Sequence, residues 1–84
     1  MKHTIKAWPH FFAALERGDK NFEVRRDDRN YKIGDLLEIH EYDPSYGHTR
    51  RCPPLLFDVT YVLMAEDFPA LMPGFVIMGI RPHQ

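Results

Sequence analysis

The stretch that most constrains this chain is Gly18-Asp19-Lys20-Asn21-Phe22-Glu23-Val24-Arg25-Arg26, where a helical hydrophobic period stops at a glycine and a two-residue period begins. On a strand, side chains two apart share a face, so Phe22, Val24 and Arg26 point one way and Asn21, Glu23 and Arg25 the other. Lys20 stands at the strand's mouth. A cation, an acid and a guanidinium on stiff backbone just behind a helix end make the strongest site candidate in the sequence. Spacing by itself leaves binding and catalysis both open.

Upstream of the glycine, Trp8, Phe11, Phe12 and Leu15 follow helical spacing, Pro9 suits a first turn, and Gly18 can close the helix in the left-handed conformation. These features predict a helix over 9–17 with those four side chains on one buried face. Residues 2–7 alternate as a first strand. After the strand at 21–26, residues 27–35 form a polar loop with room for one helical turn. Leu37 and Ile39 alternate with Glu38 and His40 in a third strand over 36–42. A turn at 43–47 leads toward its hairpin partner at 55–64, rich in β-branched and aromatic residues. The last strand, 75–80, is apolar on both faces and therefore central or covered.

The order strand, helix, four strands predicts an α+β domain. Its sheet is mixed and mostly antiparallel, of about five strands, and curls toward a barrel because exposed edges are a liability. One main helix packs on its side. With 84 residues the chain makes a single domain, 1–84, burying roughly 60–65% of its unfolded surface.

Charge and cysteine content narrow the function classes. The formal charge is −1, so no overall field draws the protein onto a polyanion, and a nucleic-acid contact needs a local patch. The lone Cys52 gives no disulfide framework and suits a reducing, cytoplasmic compartment. No apolar run reaches the ~18 residues of a membrane span. Histidines 3, 10, 40, 48 and 83 form no ligand-like pair and Cys52 has no cysteine partner, so neither a metal nor a cofactor is expected. Cys52, before two prolines, reads as an inert thiol, and Arg50-Arg51 as a solvated loop.

Two readings compete for the charged cluster. In the plainer one, Lys20, Glu23 and Arg25 form a surface ion-pair ladder worth at most about 1 kcal/mol. In the other they line a cleft carrying both signs of charge, extended by Arg29 and the loop that follows, which suits a nucleotide: cations take phosphate while the acid accepts hydrogen bonds from base or sugar. Among the aromatics, Trp8 and Tyr61 are assigned to the core, and Tyr31 and Tyr46, in polar segments, to base stacking.

The run Gly18-Asp19-Lys20-Asn21-Phe22-Glu23-Val24-Arg25 resembles the GxKxxExR signature of the ASCH superfamily. Further similar segments are Lys6-Ala7-Trp8-Pro9, Asp28-Arg29-Asn30-Tyr31 before Ile33-Gly34-Asp35, Tyr42-Asp43-Pro44, Val59-Thr60-Tyr61-Val62-Leu63 and Pro73-Gly74-Phe75-Val76-Ile77-Met78. Together they resemble a small stand-alone bacterial and phage branch, a domain of unknown function. The resemblance implies a PUA-like β-barrel and a cleft proposed to bind RNA, lined here by Gly18, Lys20, Glu23 and Arg25. Some small ASCH proteins are amidohydrolases of acylated cytidine, using the signature lysine and a threonine three residues later. Glu23 stands at that threonine position, and a carboxylate cannot replace a hydroxyl without changing charge and hydrogen-bond role.

The sequence therefore predicts a module for RNA or a nucleotide-like ligand, contacted by Lys20, Glu23, Arg25, Arg29 and Tyr31. One alternative is a small hydrolase of a modified nucleoside, with Lys20 and Glu23 as catalytic groups. The other is a structural domain in which the cluster braces the loop at 27–34 and a protein partner carries the function.

Overall fold

Among the described residues, six strands and one helix follow in the order β1 (Lys2–Ala7), α1 (Pro9–Glu16), β2 (Phe22–Arg26), β3 (Leu36–Asp43), β4 (Gly47–His48), β5 (Leu55–Met64) and β6 (Phe75–Pro82). The structure, a computed structural model, describes residues 1–48 and 53–84. The Arg50-Arg51 pair and Cys52 fall outside the described residues. Pairing runs β1-β3-β5-β6-β2, with the two-residue β4 appended to β3. β1 and β3 are parallel and every other pair is antiparallel. β6 lies between β5 and β2, as its apolar composition requires, and the loop at 27–35 forms no helical turn.

Phe12 and Leu15 anchor α1 in a core with Ile5, Leu37, Ile39, Val76 and Met78. The expected four-residue helical stripe is only half buried. Trp8 is the N-cap, in extended conformation (φ −62°, ψ 156°), so helical spacing does not apply to it. Phe11 is one residue, about 100° of helical rotation, from Phe12, and an eight-residue helix on a small sheet has no second layer to cover it.

A register change in β5 explains another difference. Pairing with β6 shifts between Val59 and Tyr61, opposite Gly79, so the inward face passes from Phe57 and Val59 to Val62 and Met64. One extra residue inverts the alternation of everything beyond it. Tyr61, placed in the core by its composition, is consequently 59% exposed.

The sheet does not close by backbone pairing, so the expected barrel is not formed: β1 and β2 remain edge strands, with a seam between them. Leu36 N–H donates to Met1 C=O, so alternation along β1 directs the Thr4 and Lys6 carbonyls away from β3. Arg29 and Arg25 donate to those two carbonyls. On β2, Ile80 N–H donates to Asn21 C=O, which turns the backbone groups of Phe22 and Val24 to the free edge. Lys20 Nζ donates to the Phe22 carbonyl at 2.9 Å. Cationic side chains thus cap the edge carbonyls that would otherwise template a further strand.

At the far end of β1, buried His3 lies 2.7 Å from Asp35 Oδ2, which also accepts from Lys32 N–H, while the N-terminal ammonium donates to Oδ1. Burial works to raise the Asp35 pKa. The hydrogen bonds from His3, Lys32 and the terminus outweigh it and hold the carboxyl below its ordinary value. A depressed carboxylate contributes stability that is present above its unfolded pKa and lost as pH falls through the folded one. Asp35→Asn should therefore cost about 1–2 kcal/mol near neutrality, with the gap to wild type narrowing as pH drops below about 4. Urea unfolding at several pH values measures this, and a gap independent of pH would contradict it.

Candidate functional site

The site begins where α1 ends. Gly18 takes φ +86°, its N–H donates to Leu15 C=O, and Asp19 and Lys20 N–H both donate to Ala14 C=O. This is a Schellman closure, with glycine at the position where a Cβ would be strained. It ties the Lys20 backbone to the last helical turn, and two residues later the chain enters β2 along the edge of the sheet.

Strand alternation then sorts β2, with the polar side turned inward. Glu23 is 4% exposed and Arg25 half-buried, while Phe22 and Val24 remain largely in solvent. This inverts the usual rule for a half-covered strand. The buried carboxylate is compensated on both oxygens: Lys20 pairs with Oε1, and Arg25 pairs with Oε2 at 3.3 Å. Arg25 also donates to Lys6 C=O at 2.9 Å, tying β2 to β1. The three groups converge, as the sequence predicts, and they do so as one network around Glu23.

Above the network is a cleft of about 610 Å³, lined by Lys6, Ala7, Trp8, Phe11, Asp19, Lys20, Phe22, Glu23, Val24 and Arg25. Its walls are mainly apolar. Trp8 and Phe11 stack with ring centroids 6.2 Å apart, and Trp8 is 52% exposed. The Lys20 ammonium lies 5.6 Å from the Phe11 ring centroid and 5.1 Å from that of Phe22, within cation–π range of both. Of its three N–H bonds, two are used by Phe22 C=O and Glu23, leaving one donor for a ligand.

Three aromatic assignments need correction. Tyr31, proposed for stacking, is 2% exposed and packs edge-on against His3 at 4.7 Å. The left-handed conformation of Asn30 (φ 53°) precedes it where the polar loop returns to the core. Burial raises the Tyr31 phenol above its ordinary pKa, offset in part by the neighbouring guanidiniums of Arg25 and Arg29. Tyr31 thus backs Arg25 from behind and offers no stacking face. Trp8, assigned to the core, is instead a cleft wall. Tyr46 is exposed as expected, but in the turn before β4 and outside the cleft lining. Arg29 braces Thr4 C=O at the seam and does not line the cleft.

The sequence reading missed Lys6, Phe11 and Phe22 as cleft residues. The available signal was the Lys6-Ala7-Trp8-Pro9 junction, where a strand edge passes directly into a helix. Among the described residues no group of three or more His, Cys, Asp or Glu is placed to hold a metal. No helix among them is long and apolar enough to cross a membrane.

A family model described as "Domain of unknown function (DUF3850)" matches residues 2–80. A relative from Escherichia phage P2, an uncharacterised 12.9 kDa protein in the GpA 3′ region, is 30% identical over 86 residues, covering 93% of this chain and 79% of the relative. The crystal structure of hypothetical protein PH0355 superposes with a TM-score of 0.64 over 99% of this chain and 100% of that one. At 16% identity that likeness speaks to fold alone.

Proposed function

The chain belongs to the DUF3850 family, a domain of unknown function, and from the cleft we propose that it binds the planar base of an RNA or nucleotide-like ligand. The observation that carries this reading is the pairing of exposed, stacked Trp8 and Phe11 with a buried Lys20-Glu23-Arg25 network in one cleft. The aromatic rings offer stacking faces to a flat heterocycle. The remaining Lys20 donor meets an acceptor on its edge, and Glu23 holds both cations so that they need not reorganise on binding. We read the domain further as an ASCH-type, PUA-like module. In support, the GxKxxExR spacing puts its lysine, glutamate and arginine in one network, and the described residues form a mixed, mostly antiparallel sheet with one short helix.

Trp8 is the sole tryptophan of the chain, so its fluorescence reports occupancy of the cleft directly. Titration with short single-stranded RNA and mononucleotides should give saturable quenching, and Lys20→Ala should weaken it about tenfold, the loss of one charge-assisted hydrogen bond. Unchanged fluorescence across the panel would remove the reading.

The direct Lys20-Glu23 contact favours one second reading, hydrolysis of an acylated nucleoside with these two groups as the catalytic pair. Incubation with acylated cytidines should then release free acid in wild type and none in Lys20→Ala. Absence of turnover would leave the binding module.

A further inference from the structure

We infer that Lys6 forms a phosphate subsite at the rim of the cleft, so that the unit recognised is one base together with one sugar-borne phosphate. This rests on the base-binding reading above. Five ionisable residues line the cleft: Lys6, Asp19, Lys20, Glu23 and Arg25. Lys20 and Arg25, the cations that the sequence assigns to phosphate, share the buried Glu23 carboxylate. Asp19 is paired with Arg17. Drawing Lys20 or Arg25 onto a phosphate would leave Glu23 underpaired in a site that is nearly closed to water, which opposes the exchange.

Among the described residues no carboxylate is paired with Lys6. Its ammonium lies 4.8 Å from the Tyr42 ring centroid, within cation–π range. Its backbone is clamped, since Lys6 C=O accepts from Arg25. Lys6 therefore carries an uncommitted charge on a main chain tied to the Glu23 network, beside the aromatic walls that would hold the base. With Glu23 balancing one of its two partners and Arg17 balancing Asp19, the net excess is two positive charges, one on Lys6 and one left in the Glu23 network, about the charge that a phosphate monoester carries near neutrality. That matches one phosphate and argues against a run of several.

The test compares the four ribonucleosides with their 5′-monophosphates, read by Trp8 fluorescence at low and at moderate salt, in wild type, Lys6→Ala and Lys6→Arg. In wild type the monophosphate should bind about tenfold more tightly than its nucleoside, an advantage that shrinks with salt. In Lys6→Ala the ratio should fall toward one, and Lys6→Arg should restore most of it. Equal affinity for both ligands in wild type, or a ratio unaltered in Lys6→Ala, would overturn the phosphate subsite while leaving base binding in place. Quenching by neither ligand would overturn both.

Discussion

Glu23→Gln should destabilise the protein by about 3 kcal/mol, because it removes the carboxylate that compensates two cations and leaves both behind. The wild-type Glu23 side chain is 5% exposed, with Lys20 on one oxygen and Arg25 on the other. Glutamine is nearly isosteric, but its amide nitrogen is a donor and faces a donor on one side or the other. The loss falls at the low end for a broken buried pair because Lys20 and Arg25 retain partial access to water. In a domain of this size such a loss lowers the melting temperature by about 12–24 °C. Lys20→Met and Arg25→Met should each cost less, since Glu23 keeps its other partner. Urea unfolding of the three variants gives the ranking. A neutral Glu23→Gln would mean that the cluster is a solvated ladder of the kind worth at most about 1 kcal/mol.

Trp8→Ala should reduce affinity for RNA or mononucleotides by about 10–100-fold, in line with 1–3 kcal/mol for base–aromatic stacking. It should leave unfolding nearly unchanged, because half of the side chain is already in water and none of the buried core depends on it. Isothermal titration calorimetry reads the affinity without the tryptophan signal, and circular dichroism confirms the fold. Tyr31→Phe provides the contrast. It keeps the ring against His3, removes the hydroxyl behind Arg25, and should weaken binding by less than Trp8→Ala does. A large loss in Tyr31→Phe with none in Trp8→Ala would reverse the assignment of the two rings.

That pair of aromatics also marks where sequence reasoning reached its limit. Periodicity located every major element to within two residues, because Pro9, Gly18 and the alternation at 22–26 are local signals that tertiary context did not override. It also placed Lys20, Glu23 and Arg25 together, since helix closure and strand parity both operate over a few residues. Which face of an element meets the core is a different question. Trp8 fits a helical stripe by counting, yet it is an extended cap. Tyr61 fits an inward strand position until a single extra residue beyond Val59 reverses the count. Tyr31 sits in a polar loop by composition and in the core by conformation, through the positive φ at Asn30. The seam was equally hidden. Nothing in local sequence says that Arg25 and Arg29 reach across to carbonyls nineteen and twenty-five residues earlier.

The arginine caps have a consequence for the kind of partner this edge accepts. A peptide adding to β1 or β2 as a new strand needs the edge carbonyls that Arg25, Arg29 and Lys20 occupy, so strand addition would have to displace three cationic contacts. A flat ring entering from the aromatic side displaces none of them. The same side chains thus protect the edge and leave the cleft open.

Residue-resolved amide NMR during titration with ribonucleoside 5′-monophosphates puts the cleft itself to trial. Saturable shifts confined to residues 6–8, 11 and 19–25 are what this account predicts. Shifts centred instead on the second, smaller hollow formed by Asp58 and residues 81–84, or no shifts at millimolar ligand, about the weak end of specific binding, would contradict it.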